Sequence, residues 1–267
     1  VSRPRATAAL LTAALLLAGC AQSVDPIERL GKKAADRVRP HGPAGEQAYR
    51  RWGLAAPLLP APHPPLHPLA LHDALPPVVD HVDTADKVVF LTYDDGAEKD
   101  PRFVDMVREL RLPVSMFLTD SVVGPGYGHF ARLQEVGASV QNHTLDHPAM
   151  SGLPYAGQRA EICGQQEKLK SRFGIRPRLF RPPYGTYDTT TLRAAADCGV
   201  TAVVLWRAAV TGDGITFGHG EKRLRPGDIV LVGPDEATGL TLRERTTGLL
   251  RRAQEAGLTV GRLEDYL

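Results

Sequence analysis

Val88-Val89-Phe90-Leu91-Thr92-Tyr93-Asp94-Asp95-Gly96 is the stretch on which the fold of this 267-residue chain turns. Val88 to Thr92 is a short β-rich run, and Tyr93-Asp94-Asp95-Gly96 closes it. Neighbouring carboxylates repel, and the period of a strand points Asp94 and Asp95 to opposite faces. Both serve one site only if the strand breaks into a turn, a break that Gly96 permits. By itself Asp-Asp-Gly is more often a solvated turn. Its weight comes from what surrounds it.

From Lys87 onward, β-rich runs alternate with amphipathic stretches. The runs are Val88 to Thr92, Val114 to Leu118, Ala138 to Gln141, Leu179 to Arg181, Thr201 to Trp206, Ile229 to Val232 and Leu258 to Val260. Strand following helix in repeat implies parallel strands joined by crossover helices. Asp100 caps a helix with Pro101 at its first position and Phe103, Val107 and Leu110 on one face. Ile162, Gln166, Leu169 and Phe173 form a stripe that Gly174 terminates, and Thr241 with Glu244 makes a capping box. Seven strands fit an α/β fold over residues 85–267, a small or incomplete β/α barrel rather than two domains.

The strand ends carry the chemistry. Gln141 is followed by Asn142-His143-Thr144-Leu145-Asp146-His147. Two imidazoles four residues apart can share one face of a helical turn and grip a divalent metal through neutral nitrogens. With a carboxylate from another strand end they make a two-histidine, one-carboxylate set with open coordination positions. The fourth strand ends in Arg181-Pro182-Pro183-Tyr184-Gly185. There two prolines fix the backbone after an always-charged arginine able to hold a carboxylate bidentately. Taken singly, His-x3-His is more often incidental and Arg-Pro-Pro a surface loop. Together they fall at the C-terminal ends of strands, the face where β/α barrels gather their reactive groups.

In this order and at these intervals, Thr-Tyr-Asp-Asp-Gly, His-Thr-Leu-Asp-His and Arg-Pro-Pro-Tyr-Gly resemble the motifs of the NodB-homology polysaccharide deacetylases, carbohydrate esterase family 4. The resemblance covers residues 85–267 and implies a distorted (β/α)7 barrel. It implies hydrolysis of N-acetyl, or O-acetyl, groups on a polysaccharide that is peptidoglycan, chitin-like or xylan-like. It also implies a divalent metal, zinc foremost and cobalt or nickel otherwise. Carried over, Asp94 is the general base, Asp95, His143 and His147 are the metal ligands, and Arg181 orients Asp94. The backbone N–H of Tyr184 binds the oxyanion, and Trp206 with Leu231 forms the slot for the acetyl methyl group.

The chain departs from the family at one step. There the sixth strand ends in Leu-x-His, whose histidine protonates the leaving group, supported by an Asp-rich motif near a tryptophan on the preceding strand. Here Leu231-Val232-Gly233 puts glycine in that place, and Leu205, Arg207, Ala208 and Ala209 around Trp206 offer no carboxylate. His219 and Asp235 are the substitutes, though each reads more simply as a loop residue. General-acid catalysis contributes about 10² to 10⁴-fold. Two readings therefore stand: a deacetylase with a weakened acid step, and a catalytically impaired, metal-bearing domain that binds glycan at the cell surface.

Before this domain, Arg3 and Arg5 precede an uncharged run, Ala6 to Ala18. As helix that run rises only about 20 Å, short of a hydrocarbon core of roughly 30 Å, and so reads as a signal segment. Leu17-Ala18-Gly19-Cys20 resembles the lipobox of bacterial lipoproteins. That implies cleavage after residue 19, lipidation of Cys20 and a protein anchored to the outer face of the cytoplasmic membrane, or else secreted. Residues 20–84 read as a stalk partly packing on the domain, since residues 40–77 hold ten of the 22 prolines. Cys163 and Cys198 are then left in a compartment that permits disulfides, either paired or as buried thiols. Without Arg3 and Arg5 the chain carries 30 positive and 30 negative charges, which argues against a nucleic-acid partner. Nothing in the sequence signals an oligomer.

Overall fold

The computed structural model describes residues 47–63, 75–212, 214–233 and 239–267. The signal segment, Cys20, the first part of the stalk and Asp235 lie outside them. Within them the elements run α1 (Ala48–Arg51), β1 (Val78–Val79), β2 (Val88–Asp95), α2 (Pro101–Leu110), β3 (Val114–Leu118), α3 (Asp120–Val123), α4 (Tyr127–Glu135) and β4 (Ser139–Asn142). They continue α5 (Tyr155–Phe173), β5 (Leu179–Phe180), α6 (Thr189–Asp197), β6 (Ala202–Val204), β7 (Ala208–Thr211), β8 (Gly214–Phe217), β9 (Ile229–Val232), α7 (Leu242–Glu255) and β10 (Thr259–Val260). All seven β-rich runs are strands.

The strands lie in the order β1-β6-β5-β4-β3-β2-β9-β7-β8, with β10 beside the start of β2. Every strand pairing is parallel except that of the β7–β8 hairpin. This is the α/β architecture expected, a curved parallel sheet with helices on its outer side. Val88, Phe90, Phe117, Leu179, Val204 and Ile229 cluster on the concave side with the C-terminal Leu263, Tyr266 and Leu267. The alternate residues Val89, Leu91, Tyr93, Met116 and Val230 pack outward with residues of α2, α4 and α7. A period of two, applied to β2, therefore sends Asp94 to the concave side.

The helix ends obey the sequence. Asp100 accepts from the Arg102 N–H, Gly174 closes α5 in the left-handed region, and Thr241 and Glu244 form a reciprocal capping box. The unexpected elements are β1, β7 and β8. After only three strand residues the chain leaves β6, passes Trp206 and pairs with β9 as β7. The arc stays open between β6 and β9, and residues 77–82 span the opening. Pro77 and Val79 accept from the Val203 and Leu205 N–H groups, while the Val82 N–H donates to Gly227.

Residues 47–63 and 75–84, within the segment that the sequence reads as a stalk, pack on the domain. Trp52 and Leu54 are buried in the outer core, and the Trp52 indole donates to Glu109 at 2.8 Å. Side chains of α7 serve the carbonyls of the turn that follows α1. Thr247 donates to Trp52, Arg251 to Gly53 and Gln254 to Ala56.

Cys163 of α5 and Cys198, which caps α6, form a disulfide closing a loop of 35 residues. In the chain-entropy picture a loop of this length stabilises the fold by about 4 kcal/mol. The double variant Cys163→Ser, Cys198→Ser is expected to lose most of that in urea unfolding.

Candidate active site

Asp94 and Asp95 end β2, and the strand breaks one residue before the glycine. Asp95 itself is left-handed, at φ 66°, followed by Gly96 at 82°. A regular strand would turn Asp95 away from Asp94. The left-handed step brings both to the rim of the sheet.

His143 follows β4 directly and is buried. Its Nδ1 lies 2.7 Å from the Arg181 carbonyl oxygen, which can only accept, so Nδ1 is the donor and Nε2 is the atom left for a ligand. That Nε2 faces Asp95 Oδ1 at 3.3 Å, and His147 Nε2 faces the same oxygen at 3.1 Å. The two Nε2 atoms are 3.2 Å apart. Asp95 Oδ1 is buried with no hydrogen-bond partner among the described residues. Three donor atoms gathered within 4.8 Å, one of them an orphaned carboxylate oxygen, have the chemistry of a divalent-cation site. Burial pushes the Asp95 carboxyl up, but the two imidazoles outweigh it and hold it well below the usual range. Asp95 in turn raises His147.

The two histidines do not share a helical turn, as their spacing suggested. Residues 143–147 form a loop in which Thr144 (φ 72°) and His147 (φ 61°) are both left-handed. Asn142 Oδ1 accepts from the Thr144 N–H, and Thr144 Oγ1 from the His147 N–H. Asn142 thus caps a turn, the simpler of the readings open to it.

Arg181 is fully buried and spends its donors on four acceptors. It gives Nη1 to Asp94 Oδ1 (2.7 Å) and Thr92 Oγ1 (2.9 Å), Nε to the Val204 carbonyl and Nη2 to the Leu205 carbonyl. The clamp on Asp94 is therefore monodentate rather than bidentate, because the other donors hold β6. Burial pulls the guanidinium below its ordinary value and Asp94 opposes that shift. Asp94 Oδ2 is left 3.9 Å from His143 Nε2.

Tyr184, at φ 59°, is exposed and sets its ring edge-on to His147 at 4.7 Å. Trp206 packs close over Gly185 and lies 5.4 Å from the Arg181 guanidinium. Leu231 pairs with Thr92 across β9 and β2, which puts Gly233, two residues on, level with Asp94. Among the described residues, a Cβ built on Gly233 would meet only Leu231 Cγ, at 4.0 Å. His219 binds Asp80 at 2.6 Å and is more than half exposed, and among the described residues it has no bond to Asp94, Asp95, His143 or His147. Arg207 is buried in an ion pair with Asp228 and ties down the loop carrying His219. Sequence reading missed Thr92 and Glu161, whose carboxylate accepts from the loop N–H groups of Leu145 and Asp146. Neither residue type is distinctive, and only the fold brings them to the site.

Residues 81–203 match the polysaccharide deacetylase family model. An uncharacterized protein of Streptomyces coelicolor is 67% identical over 194 residues, 72% of this chain and 78% of its own. A chitin deacetylase of Amylomyces rouxii is 36% identical over 129 residues, 45% of this chain but only 30% of its own length. Other relatives bear the names of chitooligosaccharide, xylan and peptidoglycan deacetylases. Among solved structures, a CE4 family pseudoenzyme from Bacillus anthracis has the same fold, with TM-score 0.60 at 20% identity over 70% of this chain and 67% of its own.

The cluster makes a direct expectation. Metal-free protein is expected to take up one equivalent of zinc, and His143→Ala or Asp95→Ala to weaken uptake by more than the 10 to 100-fold of an outer-shell loss. Competition against a chromophoric chelator measures it.

Proposed function

The chain belongs to the polysaccharide deacetylase family, and on that premise we propose that it is a metal-dependent hydrolase of acetyl groups on a cell-envelope or environmental polysaccharide. The observation that carries this is Asp95, His143 and His147 converging beside an Asp94 clamped by buried Arg181. Asp95 Oδ1, His143 Nε2 and His147 Nε2 would hold the metal, zinc by the donor set or else cobalt or nickel. Bound there, the ion supplies Lewis acidity and an acidified water.

The remaining work falls to the chain. Arg181 fixes Asp94 through Oδ1 and leaves Oδ2 to accept the proton of the attacking water. The Tyr184 backbone N–H serves the developing oxyanion, a role for preorganised donors. Trp206 and Leu231 exclude water around the acetyl methyl group. Gly233 brings no proton to the departing amine, so the acid step is the weak one. N-acetyl groups on a chitin-like, xylan-like or peptidoglycan chain are the substrate of this reading, and O-acetyl groups, whose alkoxide leaves with less help, its variant. The lipobox adds an anchor at Cys20 on the outer face of the cytoplasmic membrane.

Gly233 also favours a second reading, a catalytically impaired domain that holds metal and binds glycan. One experiment separates the two. Zinc-loaded protein is expected to release acetate from chitooligosaccharides or peptidoglycan, Asp94→Asn to abolish release, and Gly233→His to raise it by about 10² to 10⁴-fold. Retention of glycan with no acetate from either the parent or Gly233→His would leave the binding domain.

A further inference from the structure

The loop between the two histidines is held from outside the site by one turn of α5. Glu161 Oε2 accepts from the Leu145 and Asp146 N–H groups, each at 3.0 Å. One residue on, the Ile162 carbonyl accepts from Asn142 Nδ2 at 2.9 Å. At Gly164 the helix has no side chain where Leu145 lies: a Cβ there would stand 2.5 Å from Leu145 Cδ1 and 3.2 Å from its Cγ. Three residues of α5, Glu161, Ile162 and Gly164, thus reach the segment 142–147 that carries both imidazoles.

The loop needs such a hold. Thr144 and His147 sit in the left-handed region, which costs a non-glycine residue of order 1–3 kcal/mol unless its surroundings fix it. Leu145 and Asp146, the residues between them, present adjacent N–H groups that must find acceptors. A carboxylate is the strongest acceptor available to both, and its bonds are charge-assisted.

We infer that Glu161 is a positioning residue of the metal site, which sets the separation of His143 and His147 through the Leu145 and Asp146 amides. The inference rests on the reading of those histidines as metal ligands. Outer-shell partners of this kind contribute about 10 to 100-fold to metal affinity.

The test is zinc affinity by chelator competition, with thermal unfolding of the metal-free proteins alongside. Glu161→Ala is expected to weaken zinc 10 to 100-fold. Glu161→Gln, whose amide oxygen still accepts both bonds but without the charge, is expected to lose less zinc affinity than the alanine variant. Should the alanine variant fail to fold, Glu161→Asp, shorter by one methylene, is read in its place with the same expected loss. Parent-like zinc affinity in the alanine or aspartate variant would overturn the inference. So would an equal loss in Glu161→Gln, which would mean that charge and not the acceptor matters. Zinc affinity is read without substrate, so a protein that binds zinc through Glu161 but releases no acetate would sink the proposed activity and leave this role standing.

Discussion

Two carboxylates on consecutive residues at the end of one strand are the constraint from which the rest of this molecule follows. At an effective dielectric of 20, unit charges 4 Å apart repel by about 4 kcal/mol, so Asp94 and Asp95 need separate cations. Arg181 serves Asp94 from within the sheet, and the histidine-bearing loop prepares a cation site at Asp95. A buried guanidinium is itself costly unless its donors are satisfied. Thr92, Val204 and Leu205 satisfy them, which requires β2 and β6 to approach the same side chain across the concave face. The curvature of the sheet and the ionisation of the site are thus one requirement.

Backbone strain is concentrated in the same place. Of the described non-glycine residues with positive φ, Asp95, Thr144, His147 and Tyr184 belong to the site, and Arg111 alone does not. Each bends the chain so that a side chain or amide faces the common centre, and each needs a neighbour to hold it. Thr119 donates to the His143 carbonyl, Asn142 and Thr144 close the loop on itself, and α5 grips it from behind. The disulfide at Cys163 anchors that gripping turn to the end of α6. Covalent support and metal-ligand support therefore meet in one turn of helix.

Strand positions, helix caps and the motif residues were legible because each rests on local rules: β-rich runs, an Asp-Pro start, a Ser/Thr-type box, carboxylates and imidazoles at strand ends. What was not legible depends on distance in space. Nothing local marks Glu161 as the acceptor for Leu145 and Asp146, or Trp52 as core for α7. The helical reading of His143 and His147 failed for a definable reason: the spacing fits one face of a helix, but Thr144 and His147 take the left-handed region, where a right-handed helix cannot run. β7 escaped notice because it is short and follows β6 through Trp206 with no turn signal between the two, and β8 did so although Gly212-Asp213-Gly214 marks the turn of its hairpin.

The two glycines flanking β9 show how differently an absent side chain can be explained. Gly227 is dictated by packing: its φ is 87° and a Cβ would lie 1.9 Å from the Val82 carbonyl oxygen, in the segment that spans the open side of the sheet. Any other residue there would push that segment off β9. Gly233 differs: its φ is not positive, and among the described residues a Cβ there would meet Leu231 Cγ at 4.0 Å. The glycine at 233 is thus not imposed by a left-handed backbone as that at 227 is, and it stands at the end of the strand beside the one that carries Asp94, its Arg181 clamp and the Asp95, His143 and His147 cluster.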